Sequence, residues 1–396
     1  MASEGVLAGI RVLDFGRYVA GPYCATILAD FGADVIRIER RGGSEDRWLT
    51  PVTADGEGAL FLQINRNKRS LTLDPRHERA RDVLDRLIPT ADVVVTNLPV
   101  PALAGLGLDY ASLRALREDI IHANVSSFGP AGPWAERGGF DSVGQAMSGS
   151  AWLAGKDGEP RRTPITWVDH AAALHAAIGV LMAIIARGQT GRGQEVQASL
   201  LGSALAIGST YLVEEAMTGI GRTPIGNRSF VNGPTDSFRT RDGWIVTQVV
   251  GDSLFRRWAR MIGEPAWLED PDFATDDLRG INGARLSERM AAWCIEQTND
   301  EALDALRAAG IPSGPILSPR EAIAHEQVQS MGLVTPTPYP GLDGLAPLLG
   351  YPASLGATPA SIHRPPPTVG EHNQEILSAL GFDAGDIAGF DRDGVI

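Results

Sequence analysis

Cysteine is scarce in this chain of 396 residues, which contains only Cys24 and Cys294. Two cysteines are too few for a disulfide framework or a thiolate metal site, and they fit a reducing compartment. The seven histidines form no H-E-x-x-H or comparable ligand cluster, so nothing in the sequence supports a bound metal. We therefore expect chemistry that needs neither a metal nor a reactive pair of thiols.

Positive charge is also in deficit, because 35 Lys and Arg residues oppose 48 Asp and Glu residues and the formal net charge is -13. Binding to nucleic acid needs a concentrated basic surface that neutralises phosphates, so nucleic acid is not expected as a main partner. Small basic groups do occur around Arg40 and Lys68. Such a group can be a solvated face or can meet a small anionic ligand.

Long apolar runs and a secretion signal are missing too. The apolar runs contain His or are flanked by Gly and fall short of a lipid-spanning segment. The first residues, MASEGVLAGI, lack the basic start and cleavage site of a signal peptide. We therefore expect a soluble, cytoplasmic protein without a membrane partner.

Three common catalytic signatures are also missing. The first candidate ligand loop, GRYVAGP at residues 16–22, lacks the spacing of G-x-G-x-x-G, which disfavours a dinucleotide-dependent dehydrogenase. Neither the phosphate-binding G-x-x-x-x-G-K-[ST] nor the nucleophile elbow G-x-S-x-G occurs.

What the chain does contain is an alternation of apolar strands and helices in its first half. Strands are predicted at residues 10–15, 33–39, 70–74, 92–96 and 120–125, with helices at 23–31, 77–88 and 111–117. This alternation is typical of a Rossmann-like parallel sheet with helices on both faces, in which ligands bind beyond the carboxyl ends of the strands. The candidate ligand loops are residues 14–22, 39–49, 74–76, 97–105 and 126–141.

A smaller α/β domain is predicted after a glycine-bearing linker. Its strands are expected at residues 244–250 and 311–317, and its helices at 253–262, 284–297 and 300–309. We therefore expect a large α/β domain over residues 1–225, a small α/β domain over 226–330, and a C-terminal segment over 331–396 that returns to the large domain.

Asp169 precedes the most apolar stretch of the chain. The run from Ala171 to Ala186 predicts a buried helix with Asp169 as its N-cap, ending near Arg187, and a second helical stretch is predicted at 195–212. Capping alone would explain Asp169. Alternatively, the amides and dipole of the helix keep a carboxylate ionised, and in a poorly hydrated site that carboxylate can attack an activated acyl group.

Several strings of residues resemble the class III coenzyme A transferases, the CaiB/BaiF family of formyl-CoA transferase and carnitine CoA-transferase type. They are LADFGADVIRIE at 28–39, NRNKRSLTLD at 65–74, TGRGQ at 190–194 and GIPSGP at 310–315, and the resemblance covers nearly the whole chain. In that family the aspartate at this position attacks the acyl-CoA thioester. The resemblance also implies an interlocked-ring homodimer.

The resemblance implies that CoA passes from an acyl-CoA donor to a free carboxylic acid. Asp169 would attack the donor thioester to give a mixed anhydride and CoA thiolate. The returning thiolate would give an aspartyl-CoA thioester, from which the acceptor carboxylate takes the CoA. Coenzyme A is then a substrate, and no permanently bound cofactor is expected. Backbone amides of Gly21 and of the Asn232–Pro234 loop are candidate oxyanion donors.

The resemblance further implies a CoA groove in the large domain. Arg40 or Arg76 would lie near the nucleotide phosphates, because a guanidinium donates paired hydrogen bonds to phosphate oxygens. Residues 98–105 differ from the family, which usually carries an aromatic residue and Arg-Pro-Gly there, so CoA affinity or adenine contacts are expected to differ. The implied groove residues are Tyr18, Val19, Arg40, Leu73, Arg76, Asn97, Leu98, Ala102 and Arg137.

Two alternatives remain open. Racemases of the same fold carry Gly-His-Asp where this chain has Gly139-Phe140-Asp141, and Phe140 cannot move a proton, so His170 or His122 would have to replace that histidine. The other alternative is a non-catalytic CoA-binding protein. The sequence does not identify the donor or the acceptor, and small dicarboxylates or their hydroxylated relatives are the expected acceptors.

Overall fold

The computed structural model describes residues 5–396 and divides the chain into two compact units. The first unit comprises the chain up to Ser150, Thr163–Gly219 and Met331–Ile396, and the second comprises Ala151–Arg162 and Ile220–Ser330. The large domain and returning segment expected from sequence differ from the first unit only at residues 151–162 and 220–225. These two short segments belong to the second unit.

Six parallel strands form the central sheet of the first unit. They are β1 (Arg11–Asp14), β2 (Asp34–Glu39), β3 (Lys68–Thr72), β4 (Val93–Thr96), β5 (Ile121–Ser126) and β6 (Glu195–Ser199). Their order in the sheet is β3-β2-β1-β4-β5-β6, and it reverses between β1 and β4, which is where ligands bind in open α/β sheets.

Five of these strands confirm the sequence prediction, but the helical stretch expected at 195–212 is wrong over residues 195–199. Its first part is the edge strand β6, which pairs in parallel with β5 through Ala123 and Val196. Two helices follow after it, at Leu200–Ile207 and Ser209–Thr218. The strand was missed because its sequence, EVQAS, is short and half-exposed and lacks the continuous apolar run of a central strand.

Helices cover both faces of the sheet, as the alternation predicts. The helices that begin before residue 220 are α1 (Ala20–Asp30), α2 (Ala59–Ile64), α3 (Ala80–Leu87), α4 (Val100–Leu106), α5 (Tyr110–Leu116), α6 (Asp141–Met147), α7 (Ser150–Leu153), α8 (Trp167–Thr190), α9 (Leu200–Ile207) and α10 (Ser209–Thr218). Helices α1, α8 and α9 bury their apolar residues on one face together with Val12, Val95 and Ile121. On the opposite face, α3 and α5 pack with C-terminal residues such as Ile376 and Phe390.

Helix α8 is longer than the sequence predicts, and it begins before Asp169. It starts at Trp167 because Val168 is fully buried in the core, and it ends at Gly191, whose φ of 71° is the left-handed conformation that suits glycine. Asp169 therefore lies in the first turn, and the N-cap is Thr166. The prediction that Asp169 is the N-cap is wrong.

The outer side of α8 is apolar as well. Leu174, Ile178, Met182 and Ile185 are exposed, and they recur at helical spacing along one stripe. By length and apolar composition, α8 could cross a bilayer, which corrects the expectation that no run is long enough. A core helix of a soluble protein passes the same test, so length and composition decide nothing here.

The second unit has its own sheet and core. Strands β7 (Thr235–Arg239), β8 (Trp244–Gln248) and β9 (Ser313–Pro315) form an antiparallel sheet, of which β7 was not predicted. Its core is built around Phe255, Trp258 and Met290. The helices are α11 (Gly251–Met261), α12 (Asp276–Ile281), α13 (Gly283–Cys294), α14 (Asn299–Ala308), α15 (Pro319–Ala324) and α16 (Glu326–Ser330).

The C-terminal segment belongs to the first unit. It forms the antiparallel hairpin β10 (Val334–Pro338) and β11 (Leu345–Leu349), and then helices α17 (Asn373–Ala379) and α18 (Ala384–Asp393). The main-chain carbonyl of Val395 accepts a hydrogen bond from the amide of Asp74 at 2.9 Å. The end of the chain is thereby attached to the loop that follows β3.

Candidate active site

A cavity of about 430 Å³ lies within the first unit, beyond the carboxyl ends of β1, β4 and β5. This is the edge of the sheet where the strand order predicts a ligand. The cavity brings Asp169 together with five of the nine predicted groove residues, Tyr18, Val19, Asn97, Leu98 and Arg137.

The loop between β1 and α1 is held by buried polar groups. Asp14 Oδ1 accepts a hydrogen bond from the amide of Gly16, and Lys68 Nζ donates to Asp14 Oδ2 and to the carbonyl of Pro22. A side chain at Gly16 would not fit, because its Cβ would lie 2.6 Å from the ring of Pro22. The loop can therefore present Tyr18, which has a left-handed φ of 59°, in one fixed conformation.

Asn97 links this loop to the end of β4. Its Oδ1 accepts a hydrogen bond from the amide of Arg17 at 2.8 Å, and its Nδ2 donates to the carbonyl of Arg17 at 2.7 Å. Gly21 packs closely on the same loop, since a Cβ there would lie 3.0 Å from Cα of Gly16. Asn97 therefore fixes the cavity wall through the backbone of its neighbour, with both amide atoms already occupied.

Asp169 has an unusual electrostatic environment for a carboxylate. Burial, and to a smaller extent the nearby Asp141 carboxylate, together raise its pKa from 3.8 to about 7. Within residues 5–396 no side chain or amide donates a hydrogen bond to the carboxylate of Asp169 that would lower this pKa. A partly desolvated carboxylate of this kind is more basic and less shielded by water than a surface one, which suits a nucleophile.

Arg137 supplies positive charge at the cavity. Its guanidinium lies 4.3 Å from the centre of the Trp134 ring, and its side chain is exposed. It forms no ion pair with any residue of the described chain. Since stacking fixes the guanidinium and leaves its hydrogen-bond donors free, Arg137 can receive an anionic part of a ligand.

Phe140 and Tyr18 form an aromatic pair at the same cavity. Their ring centres are 5.6 Å apart in an edge-to-face arrangement, and Phe140 is 62% exposed. Neither histidine that might substitute for a proton-transferring residue lines the cavity. His122 is buried, with its pKa lowered to about 4 by burial, and Nδ1 of His170 is 2.6 Å from the carbonyl of Thr166.

Four predicted groove residues lie outside this cavity. Arg40 is exposed and pairs with Glu45 at 2.6 Å, while Arg76 is exposed and pairs with Asp74. Leu73 is fully buried in the core of the first unit. Ala102 is half-buried on α4. Arg40, Leu73 and Arg76 follow β2 and β3 and therefore belong to loops on the same edge of the sheet, where a long ligand could extend.

The two candidate oxyanion loops occupy different units. Gly21 is buried in the first turn of α1. Asn232 and Gly233 belong to the second unit, where the backbone of Gly233 approaches the carbonyl of Arg279 so closely that a Cβ would be 2.8 Å from it. Among residues 5–396 no cluster of three potential metal ligands is found.

Sequence reasoning missed several residues of the site. Ser126, Ser127, Gly138 and Gly139 line the cavity, and the rule that ligands bind beyond strand ends had selected their loop but not the individual residues. It also missed Asp141, which is buried beside the start of α8. The consecutive glycines at 138–139 were the only local signal of a close approach to a ligand.

Residues 7–373 match the family described as CoA-transferase family III. Relatives similar to this chain include succinyl-CoA–D-citramalate CoA-transferase of Chloroflexus aurantiacus, 33% identical over 96% of each protein. Succinate–glutarate CoA-transferase of Agrobacterium fabrum is 32% identical over 94% of this chain and 95% of that protein. Formyl-CoA:oxalate CoA-transferase of a Bradyrhizobium species is 31% identical, covering 96% of this chain and 95% of that protein.

Solved structures agree with the family match. A CaiB/BaiF family protein from Brucella suis superposes with a TM-score of 0.84 and 29% identity, covering 96% of this chain and all of that one. The six-stranded parallel sheet and the mixed α/β fold are common to such proteins, and the relatives over the whole length are CoA-transferases. The chain therefore belongs to CoA-transferase family III, the CaiB/BaiF family, and is an enzyme that uses CoA thioesters as substrates.

Proposed function

We propose that this enzyme transfers CoA from an acyl-CoA donor to a free carboxylic acid through an aspartyl-CoA thioester on Asp169. The observation that supports this proposal is the position of Asp169. It is a partly desolvated carboxylate with a raised pKa, in the wall of a cavity that also contains five expected CoA-groove residues.

The proposed reaction has two halves. The ionised Asp169 carboxylate attacks the thioester carbonyl, the C–S bond breaks, and a mixed anhydride and CoA thiolate form. The thiolate then attacks the carbonyl carbon of Asp169, which releases the donor acid and leaves the aspartyl-CoA thioester. The acceptor carboxylate repeats both steps in reverse and leaves as its CoA thioester, with Asp169 regenerated.

The residues around Asp169 support binding rather than proton transfer. Tyr18, Val19, Asn97 and Leu98 form a wall held by the loop contacts, and Arg137 is available to an anionic group of the ligand. Arg40 and Arg76 are proposed to meet the nucleotide phosphates farther along the same edge. Each would have to exchange its present carboxylate for a phosphate, which is feasible because both pairs are exposed.

For the substrates, we propose succinyl-CoA as donor and a small dicarboxylate, or a hydroxylated one, as acceptor. The support comes from relatives whose names pair succinyl-CoA or succinate with D-citramalate, glutarate or L-malate. Other relatives use formyl-CoA and oxalate, so the acceptor screen should include oxalate.

We also propose that the active form is a cytoplasmic homodimer with interlocked protomers. The apolar stripe of α8, which contains Leu174, Ile178, Met182 and Ile185, supports this proposal because a monomer would expose it to water. Covering it with a second copy would bury the stripe. The interlocking itself rests on resemblance to the family.

The test combines covalent trapping with two variants. After incubation with succinyl-CoA, hydroxylamine or borohydride treatment should modify the peptide containing Asp169, as seen by mass spectrometry. Asp169→Asn should lower transfer by several orders of magnitude. Asp109→Asn is the matched control, since Asp109 caps α5 by accepting from the amide of Ser112. If Asp169→Asn transfers CoA as well as the control does, without reverting by deamidation, the proposed mechanism is wrong.

A further inference from the structure

The start of α8 is held by a carboxylate from another helix. The helix has no side-chain cap from its own N-cap residue, Thr166. Instead, Asp141 Oδ2 accepts hydrogen bonds from the amides of Val168 at 2.7 Å and of Asp169 at 3.2 Å. These amides belong to the first turn, whose N–H groups have no partner within the helix, and the helix dipole favours a negative charge there.

Asp141 is itself held in place. Gln145, one turn later on α6, donates from Nε2 to Asp141 Oδ1, and both side chains are buried. The same amide group reaches the segment that leads into α8. Gln145 Oε1 accepts from the amide of Thr163 at 3.0 Å, and Nε2 is 3.2 Å from the carbonyl of Thr163 and 3.3 Å from that of Ile165. Asp141 and Gln145 therefore fasten α6 to the segment that carries Asp169.

Helix α6 packs closely on α8 at this point. Gly144 lies against Val168, and a Cβ on Gly144 would be 2.7 Å from Val168 Cγ1. Val168 is the residue directly before the nucleophile and is fully buried. The contact between α6 and α8 therefore lies directly beside Asp169 in the chain.

We propose that Asp141, held by Gln145, is the positioning residue for the Asp169 nucleophile. This inference rests on the proposed function of Asp169. Asp141 does not line the cavity, so it acts through the backbone amides and through its charge and does not touch the substrate. It satisfies the amides of Val168 and Asp169, so the start of the helix does not need the carboxylate of Asp169 as its cap. Its charge also disfavours ionisation of Asp169 and makes the ionised nucleophile more basic.

Other titratable groups surround Asp169, and the charge effect must be distinguished from theirs. The loops before α1 and α6 contribute Arg17, Tyr18 and Arg137 to the cavity. Helix α1 contributes Tyr23, whose ring lies 4.9 Å from that of His170. From β5 and α9 the cavity receives Val125, Ser126 and Leu200, which carry no charge. None of these groups contributes to the raised pKa of Asp169, which results from burial and from the charge of Asp141.

The experiment separates the hydrogen bonds of Asp141 from its charge. Asp141→Ala removes both, and the rate at saturating substrate is expected to fall by about 10²-fold with KM for succinyl-CoA nearly unchanged, because misplacement of the nucleophile affects the chemical step. Asp141→Asn keeps an oxygen acceptor and removes the charge. It should retain most of the rate at high pH while the acidic limb of the kcat/KM profile moves to lower pH.

The possible outcomes distinguish the positioning role of Asp141 from the proposed function of Asp169. An Asp141→Ala enzyme with an unchanged rate and an unchanged pH profile would overturn the positioning role, while an inactive Asp169→Asn would show that the proposed function still holds. If Asp141→Ala does not fold, the profile of Asp141→Asn decides alone, and an unmoved acidic limb contradicts the proposal. Activity of Asp169→Asn would instead refute the proposed function itself.

Discussion

The raised pKa of Asp169 predicts that its carboxylate destabilises the folded protein at neutral and alkaline pH. The unfolded chain has the ordinary pKa of 3.8, and the folded chain has a pKa of about 7 for this group. Between these values the folded state retains a proton that the unfolded state has lost. The contribution of the protonated Asp169 to the free energy of unfolding is therefore fully present below pH 4 and is lost as the pH rises towards 7. Above about pH 8 it no longer changes.

The size of this effect follows from the two pKa values. Each pKa unit corresponds to 1.36 kcal/mol, so a difference of about three units gives roughly 4 kcal/mol. Asp169 lies in the wall of a cavity that admits water, which reduces the expected value to about 2–4 kcal/mol. Asp169→Asn carries no charge at any pH, and it should therefore be more stable than the parent protein by that amount at pH 8 and by much less at pH 4.5.

Chemical denaturation at both pH values, at one protein concentration, measures this prediction. The difference between Asp169→Asn and the parent protein should increase with pH, whereas Asp109→Asn should show no such gain. Holding the concentration fixed matters because stability of an oligomer depends on it. If the difference is the same at pH 4.5 and pH 8, or if Asp169→Asn is the less stable protein at pH 8, the environment derived for Asp169 is wrong.

Two further predictions concern the alternative chemistry and the assembly. A 2-methylacyl-CoA incubated with the enzyme in deuterium oxide should keep its α-hydrogen, because Phe140 is unable to transfer a proton and no histidine of residues 5–396 lines the cavity. Rapid exchange of the α-hydrogen seen by mass spectrometry would contradict the absence of racemase activity. Light scattering should give twice the chain mass of 42.1 kDa. The variant Ile178→Glu on the α8 stripe should lower the yield of dimer, because it places a charge on the apolar surface. A stable, active monomer would exclude the interlocked assembly.

The core of the fold was predictable because its strands are buried on both faces. Runs such as Val93–Thr96 are apolar almost throughout, which is typical of central parallel strands. The edge strand Glu195–Ser199 has one neighbour and half-exposed residues, so its sequence lacks the apolar run that identifies the central strands. The predicted start of α8 lay too far along the chain for a related reason. Burial of Val168 extends the helix, and burial is a tertiary property that local sequence does not report.

In the candidate site, too, some residues were predictable from sequence and others depended on the packing of the fold. Resemblance to the family selected Asp169, Tyr18, Val19, Asn97, Leu98 and Arg137, which the fold brings to one cavity. The local rule for helix starts assigned the cap to Asp169 because it is the carboxylate nearest in sequence to the apolar run. The actual carboxylate, Asp141, is 27 residues away from Val168 in sequence, and only the packing of α6 on α8 places it there.

The division of labour between these two carboxylates supports the proposed role of Asp169 as a nucleophile at the start of a helix. Had Asp169 capped α8 itself, amide hydrogen bonds would have stabilised its ionised form, lowered its pKa and occupied the oxygen lone pairs that the proposed attack on the thioester needs. Asp141 instead satisfies the amides of Val168 and Asp169, while burial and the Asp141 charge together raise the pKa of Asp169 to about 7. The helix keeps its capping interaction, and its first turn still presents a carboxylate with unoccupied oxygens to the cavity.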